Sequence, residues 1–151
     1  MAFTSDGKFK LPGFTSTFDM RGKIEGRGYF TWAEALHYEA GASGYYRAPE
    51  SKEVVLNILR QARYMSKFRE FMGKPIIVTS WYRDAETNRR VGGHPRSRHM
   101  QGMATDFVIP GMTGYQVARA ASDKFRWNGG IGFYNGFTHL DNRGYKAVWY
   151  G

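Results

Sequence analysis

The most informative stretch of this chain reads Ser97-Arg98-His99-Met100-Gln101-Gly102-Met103-Ala104-Thr105-Asp106. His99 and Asp106 stand seven residues apart, which on a continuous helix is about 10 Å of rise. That distance is too long for two side chains that each bind one ion at about 2 Å. A tight turn at Gly102 would bring them together, because glycine tolerates the backbone conformations that such turns need. The stretch therefore indicates a turn at which two metal-ligand side chains converge.

A third candidate ligand lies in Phe137-Thr138-His139-Leu140-Asp141. Alternate residues of a strand share a face, so Phe137, His139 and Asp141 are expected to point one way. Two imidazoles and one carboxylate leave a fourth coordination position for water, which is the arrangement of catalytic rather than structural zinc. The residues alone also permit a plainer interpretation, in which His139 is a hydrogen-bonded core residue and His99 a loop histidine.

The composition predicts one folded domain. A chain of 151 residues can build a single core, and its 42% apolar and 17% aromatic content separates it from disordered chains. It has no cysteine, so any zinc must be held by histidine and carboxylate ligands. The formal net charge of +9 favours contact with polyanions such as nucleic acid, an anionic bacterial wall or a membrane surface, and it also suits plain solubility.

The chain shows no segment with the character of an export signal or a membrane span. Residues 1–20 contain no apolar run like the core of a signal peptide, and no later stretch is long and apolar enough to cross a bilayer. We therefore expect the protein to be made in the cytoplasm and to stay there unless another agent releases it.

Two regions are predicted along the chain. Residues 1–28 have no sustained period and are interpreted as an N-terminal arm or loop that packs Phe9, Phe14 and Phe18 on the rest of the protein. Residues 29–151 contain the periodic segments and the candidate ligands, and they are interpreted as the folded domain.

The order of the predicted elements indicates an α+β fold with helices on one face of a small, mainly antiparallel sheet. Thr31 and Glu34 form a capping-box pattern that begins a short helix, and apolar residues at every third or fourth position predict a long helix over 50–72. Further helices are predicted over 85–91 and from Thr113. A buried strand is predicted at 75–79, a second strand at 104–109, and three more short strands at 131–134, 137–141 and 147–150. The residues available for the buried side of the last helix are Tyr115, Val117, Ala118, Ala121 and Phe125.

The segment 97–106 resembles SxHxxGxAxD, the signature of the zinc D-Ala-D-Ala carboxypeptidase family, whose fold is shared with the hedgehog signalling domain. The other landmarks of that family follow in the same order, over roughly residues 29–149. They are Thr79-Ser80-Trp81-Tyr82-Arg83, similar to a TSxYR element; Asn88-Arg89-Arg90-Val91-Gly92-Gly93; Gly129-Gly130-Ile131-Gly132; and Gly136-Phe137-Thr138-His139-Leu140-Asp141.

The resemblance implies a zinc peptidase, and it assigns roles to individual residues. Zinc would be held by His99, Asp106 and His139, and Arg83 would steady the oxygen of the scissile carbonyl. Substrate would be bound by Arg83, Ser97 and Tyr82, with a structural role in the turn as the alternative for Ser97. The implied substrates are the stem peptides of bacterial peptidoglycan, cut at an L-Ala-D-Glu bond as by an endopeptidase or beside D-Ala as by a carboxypeptidase.

One departure from the family pattern concerns the general base. Many members carry a Glu or Asp three residues before the third ligand, or a His two residues before it, but these positions are Gly136 and Phe137 here. Asp141 is the nearest acid and is expected on the face of His139. It is predicted either to act as the base or to orient His139, with plain turn capping as the structural alternative.

The sequence therefore leaves three hypotheses for the function. The first is a hydrolase, such as an endolysin of a bacteriophage, a virion-borne enzyme or a bacterial wall-remodelling enzyme. The second is a zinc-containing module of the same fold that binds wall peptides or a protein without cutting them. The third is nucleic-acid binding through Arg89, Arg90, Arg96 and Arg98, which is not favoured because no known nucleic-acid-binding motif accompanies that cluster.

Overall fold

The computed structural model describes residues 8–37 and 46–151 of the chain. Part of the predicted arm, residues 1–7, lies outside the described residues. The helices are α1 (Trp32–Leu36), α2 (Lys52–Met72), α3 (Ala85–Arg90) and α4 (Gly114–Ala120), with 3-10 turns at Ile24–Gly26 and Arg98–Gln101 and a π-helical turn at Ala121–Phe125. The strands are β1 (Lys8–Lys10), β2 (Thr17–Asp19), β3 (Ile77–Ser80), β4 (Ala104–Val108), β5 (Gly130–Phe133), β6 (Thr138–Asp141) and β7 (Ala147–Tyr150).

The main sheet has five strands in the order β3-β4-β6-β5-β7. All of its neighbours are antiparallel except β5 and β7, which run parallel. A mainly antiparallel sheet with four helices is an α+β fold, so the predicted fold class is confirmed. The central position of β6 matters for function, because this strand carries His139 and Asp141.

Helices cover one face of the sheet and leave the other for the candidate site. On β6, Leu140 is fully buried in the apolar core, and its carbonyl accepts a hydrogen bond from Gln61 of α2. Thr138 points to the same side and donates to the carbonyl of Gly114 at the start of α4. His139 alternates with these two residues and therefore points to the opposite face.

Capping residues define both ends of the long helix α2. Ser51 is its N-cap and accepts a hydrogen bond from the backbone of Val54, so the helix starts two residues after the predicted position 50. Gly73 ends it in the left-handed conformation, so the helix ends at the predicted residue 72. The predicted apolar stripe faces the core, with Val55, Ile58, Ala62, Met65 and Phe68 buried.

A strand forms close to the predicted position 75–79, but the prediction that it is buried is wrong. The strand forms at Ile77–Ser80, but it pairs only with β4 and is an edge of the sheet. Ile77 is 50% exposed as a result. A β-branched run indicates a strand, but whether a second neighbour covers it depends on the arrangement of the other strands.

The buried side predicted for the helix after Thr113 is correct except for Tyr115. Val117 and Ala118 are buried, whereas Tyr115 is 38% exposed and its hydroxyl donates to the Gly151 carbonyl. The start of the helix lies against the turn before β6, because a Cβ added to Gly114 would overlap the carbonyl of Phe137.

The described part of the predicted arm contains an antiparallel pair of strands, β1 and β2. Phe9 is fully buried and makes edge-on or tilted ring contacts with Phe18 and Trp32. Phe14 packs against the same cluster and stands edge-on to Phe18. These aromatic residues therefore belong to the core that α1 and α2 also build. None of the helices in the described part of the chain has the length and apolar character needed to cross a membrane.

Gln61 is a buried polar residue that fastens α2 to the strands behind the candidate site. Its Nε2 donates to Leu140 O at 2.9 Å and to Thr105 Oγ1 at 3.1 Å, and its Oε1 accepts from Asn142 Nδ2 at 2.9 Å. We expect Gln61→Leu to lower the free energy of unfolding by about 1–3 kcal/mol, because these buried groups lose their partner. Urea denaturation followed by circular dichroism measures the change.

The matched control for this change is Arg60→Leu, at the neighbouring and exposed position of the same helix. It should alter the free energy of unfolding by no more than about 0.5 kcal/mol. Equal losses in the two variants would show that the buried hydrogen bonds contribute nothing specific.

Candidate metal centre and its cleft

Two of the three candidate ligands are neighbours across the sheet. Asp106 of β4 and His139 of β6 are directly paired in register. Their side chains share the face that the helices leave open, and His139 Nδ1 lies 2.9 Å from Asp106 Oδ1. Strand pairing alone therefore places a carboxylate beside an imidazole.

The third candidate ligand, His99, reaches the same point from the turn that precedes β4. Ser97 caps the 3-10 turn Arg98–Gln101 by accepting a hydrogen bond from the His99 backbone, and Gly102 ends it in the left-handed conformation with φ of 76°. The chain then reverses into β4. His99 Nε2 lies 3.2 Å from Asp106 Oδ2, so the predicted turn and the predicted convergence of His99 and Asp106 are confirmed.

The outward-facing nitrogens of both histidines are already engaged. His99 Nδ1 lies 2.7 Å from the Trp81 carbonyl, and His139 Nε2 lies 2.8 Å from Asp141 Oδ2. Such contacts fix the orientation of each ring and aim its other nitrogen at Asp106. One ligand atom from each of His99, Asp106 and His139 lies within 4.8 Å of the others, so the group can hold a metal ion. Two imidazoles and a carboxylate suit zinc.

The electrostatics of the group favour ionised carboxylates. Burial opposes the charge of Asp106, but its interactions with His99 and His139 hold the pKa of Asp106 well below the ordinary value. Burial also opposes the charge of His139, yet its hydrogen bonds to Asp106 and Asp141 raise the pKa of His139 to about 9. A metal ligand must be deprotonated, so metal binding here has to displace the proton of His139.

Asp141 is fully buried and is surrounded by hydrogen-bond donors. Its Oδ1 accepts from the backbone of Gly130 at 3.0 Å and from Arg143 Nε at 2.8 Å. Its Oδ2 accepts from Arg143 Nη2 at 2.7 Å and faces His139 Nε2. Burial disfavours its charge, but the bonds from Arg143 and His139 hold the pKa of Asp141 well below the ordinary value. Asp141 therefore remains ionised and links Arg143 to His139.

Two glycines make room for this arrangement on the neighbouring strand β5. Gly130 is paired with Asp141 and Gly132 with His139. A Cβ on Gly130 would overlap the Asp141 carboxylate, and one on Gly132 would lie 3.0 Å from His139 Cβ and 2.9 Å from Trp149 Nε1. The motif Gly129-Gly130-Ile131-Gly132 is thus explained by side chains that must lie over it.

The three candidate ligands line a cleft with a volume of about 720 Å³. One wall is aromatic: Tyr134 and Phe137 stack with ring centroids 4.3 Å apart, and Trp149 Nε1 donates to the Tyr134 hydroxyl. Phe137 was expected on the face of His139, but Tyr134, Trp149 and Arg143 were not among the residues predicted for the site. The only signal for Arg143 was a basic residue two positions after the acid that it pairs with. The described residues that line the cleft include Arg83, His94, Arg96, Ser97, Arg98, His99, Asp106, Tyr134, Phe137, His139, Arg143 and Trp149.

The structure separates the other predicted site residues into two groups. Arg83 and Ser97 line the cleft. Tyr82 does not line it and is only 2% exposed, because the strand end that carries Arg83 outward directs Tyr82 into the core. The predicted contact between Tyr82 and substrate is therefore corrected, since a buried core side chain has no access to the cleft.

Comparison with known proteins identifies one family. Residues 28–141, more than half of the chain, match the sequence model of a family described as Peptidase M15. No curated protein matches the chain.

Metal binding tests the candidate centre directly. We expect the protein to bind one zinc ion per chain. His99→Ala, Asp106→Ala and His139→Ala should each weaken zinc affinity by more than the roughly 10–100-fold that loss of an outer contact costs. Isothermal titration calorimetry with the metal-depleted protein measures the affinity. His37→Ala is the matched control, because His37 lies outside the described cluster and its Nδ1 contacts the Glu34 carbonyl. A loss of affinity in this control equal to that in the ligand variants would contradict the assignment.

Proposed function

The chain belongs to the M15 peptidase family, and we propose that it is a zinc-dependent hydrolase of stem-peptide bonds in bacterial peptidoglycan. The family match covers residues 28–141 and bears out the resemblance to zinc D-Ala-D-Ala carboxypeptidases. Membership implies a zinc metallopeptidase at the level of the family. The observation that carries the proposal is the convergence of His99, Asp106 and His139 in a cleft large enough for a peptide.

His99, Asp106 and His139 would hold the zinc ion. When bound there, zinc supplies Lewis-acid polarisation of a carbonyl and activation of water. The donor set leaves room for these functions, because three protein ligands are typical of catalytic rather than structural zinc.

Arg83 is proposed to stabilise the negative charge that develops on the carbonyl oxygen of the substrate. Its Nη2 lies 3.8 Å from Asp106 Oδ2 and 3.2 Å from Ser80 Oγ, and its Nη1 donates to Asn88 Oδ1. These contacts hold the guanidinium beside the candidate ligands, on the lining of the cleft. A fixed cationic donor at that position lowers the barrier, because it needs no reorganisation during the reaction.

Asp141 is proposed to orient His139 rather than to act as the general base. Its carboxylate is fully buried, and both oxygens already accept hydrogen bonds from Arg143. A base must reach the proton that it accepts, and these donors occupy the oxygens of Asp141. Its contact with His139 Nε2 supports the orienting role instead.

His94 is also poorly suited to the role of base. Its Nδ1 accepts a hydrogen bond from the Arg96 backbone, so a neutral ring carries its proton on Nε2 and has no free nitrogen to accept another. Glu86 is a further acid that could serve as a base, but it is not among the described residues that line the cleft. Asp106 is the one carboxylate among those residues.

That shortage of carboxylates favours one alternative, a zinc-containing module that binds wall peptides without cutting them. We place hydrolysis first because the three candidate metal ligands and Arg83 line the same cleft.

We further propose that the enzyme acts as a wall-lytic enzyme of bacteriophage type, released at lysis or carried on a virion. The formal charge of +9 supports adhesion to an anionic wall.

Hydrolysis is tested with purified peptidoglycan and defined muropeptides. We expect the zinc-loaded protein to release new amino groups, and we expect a chelator to abolish this release and added zinc to restore it. Arg83→Met should lower kcat by about 10²–10³-fold, because one charge-stabilising donor is lost. Mass spectrometry of the products identifies the bond that is cut.

The zinc content of Arg83→Met has to match that of the wild type, so that the variant reports on catalysis rather than on metal loss. Peptide binding without any new amino groups, at full zinc occupancy, would refute hydrolysis and establish the binding module.

The role of Asp141 is tested with Asp141→Asn, which preserves the shape of the side chain. If Asp141 orients His139, the variant should bind zinc about 10–100-fold more weakly than the wild type. Calorimetry of zinc binding measures this difference without reference to activity. Asp123→Asn, in the turn after α4, is the control and should leave zinc affinity unchanged. Unchanged zinc affinity with a large fall in kcat would instead assign Asp141 the role of base.

A further inference from the structure

The cleft carries an excess of positive charge. The described residues that line it include four arginines, Arg83, Arg96, Arg98 and Arg143, against the single carboxylate of Asp106. Such a cleft attracts anionic ligands and repels cationic ones. The question is which of these arginines remain available to a ligand.

Two of the four are committed to the metal centre. Arg143 forms an ion pair with Asp141, with its Nη2 2.7 Å from Oδ2, and its guanidinium also lies 5.1 Å from the centre of the Trp149 ring. Arg83 lies beside Asp106 and donates to Ser80 and Asn88. Neither residue accounts for the remaining positive charge of the cleft.

Arg96 and Arg98 have no carboxylate partner among residues 8–37 and 46–151. The guanidinium of Arg98 meets only neutral acceptors, Gln101 Oε1 and the Tyr145 hydroxyl, both at 3.4 Å. The side chain of Arg96 is exposed on the rim. A guanidinium group frequently binds a carboxylate through two parallel, charge-assisted hydrogen bonds.

The backbone that carries these two arginines is held in place. The His94 carbonyl accepts from Asn88 Nδ2 and from the Ser97 backbone, both at 2.9 Å, and His94 Nδ1 accepts from the Arg96 backbone at 3.0 Å. Arg98 directly precedes the candidate ligand His99. The backbone of Arg96 and Arg98 is therefore held in place directly before the candidate ligand His99, and both side chains line the same cleft as that residue.

We propose that Arg96 and Arg98 form a carboxylate-binding subsite, which makes the enzyme selective for acidic peptides with a free carboxylate close to the scissile bond. This inference rests on the proposed function and names its substrate class. Stem peptides offer that chemistry from two sources, the free carboxylate of a γ-linked D-glutamate and the carboxylate at the C-terminus. The subsite complements both, since each presents the same planar anion.

The test uses three synthetic stem peptides. The first has both carboxylates, the second has D-isoglutamine in place of D-glutamate, and the third has a C-terminal amide. For wild-type, zinc-loaded protein, we expect loss of the recognised carboxylate to lower kcat/KM by about tenfold or more, mostly through KM, because a charge-assisted contact is lost. The peptide that suffers this loss identifies which source the subsite uses.

The double variant Arg96→Gln/Arg98→Gln should lose the preference, so that acid and amide peptides are cut with nearly equal kcat/KM. Its control is Arg21→Gln/Arg119→Gln, which removes the same charge at exposed positions outside the cleft. This control should keep the acid preference. An equal loss of preference in both double variants would overturn the subsite, because the general field of the protein would then explain it.

Calorimetric binding of the same peptides separates this inference from the proposed function. If no peptide is cut but the acid peptide binds more tightly and Arg96→Gln/Arg98→Gln removes that difference, the subsite stands and hydrolysis fails. If the peptides are cut, but acid and amide forms bind and react equally in the wild type, hydrolysis stands and the subsite is refuted.

Discussion

The pairing of β4 with β6 is the constraint on which the rest of the candidate site depends. It sets Asp106 beside His139 and Ala104 beside Asp141, and β5 adds Gly132 and Gly130 on the other side of the same two rows. A shift of β6 by one residue would turn both His139 and Asp141 away from Asp106 and toward the helices. Glycine is required at 130 and 132 because the side chains of Asp141 and His139 leave no room for a Cβ on those residues.

A continuous series of contacts between ionisable side chains passes through this pair of strands. Arg143 contacts Asp141, Asp141 contacts His139, His139 contacts Asp106, and Asp106 lies near Arg83. Buried charges are costly unless they are paired, so each member requires its neighbours. The same series gives His139 two carboxylates on opposite sides of its ring, the candidate ligand Asp106 and the buried Asp141. This position is the basis of our proposal that Asp141 orients His139.

The cleft around the candidate metal ligands is lined by two chemically different sets of residues. Arg96 and Arg98 form a cationic wall on the turn that leads to His99, whereas Tyr134, Phe137 and Trp149 form an aromatic wall on β7 and on the turn between β5 and β6. His99, Asp106 and His139 line the same cleft as both sets of residues. The cleft therefore offers a peptide both hydrogen-bond donors for an anion and apolar surface, and contacts of these two kinds can orient a bound substrate.

Local chemistry made part of this protein readable from its sequence alone. Residues close together in the chain determine the capping box at Thr31, the start of a helix at Thr113, the turn at Gly102, and the period and end of α2. The convergence of His99 and Asp106 belongs to this group, because one short turn produces it. The tertiary structure alone decided the exposure of Ile77, the burial of Tyr82 and Gln61, and the contact between Arg143 and Asp141. Those features depend on which distant elements pack against a residue, and no pattern of neighbouring residues carries that information.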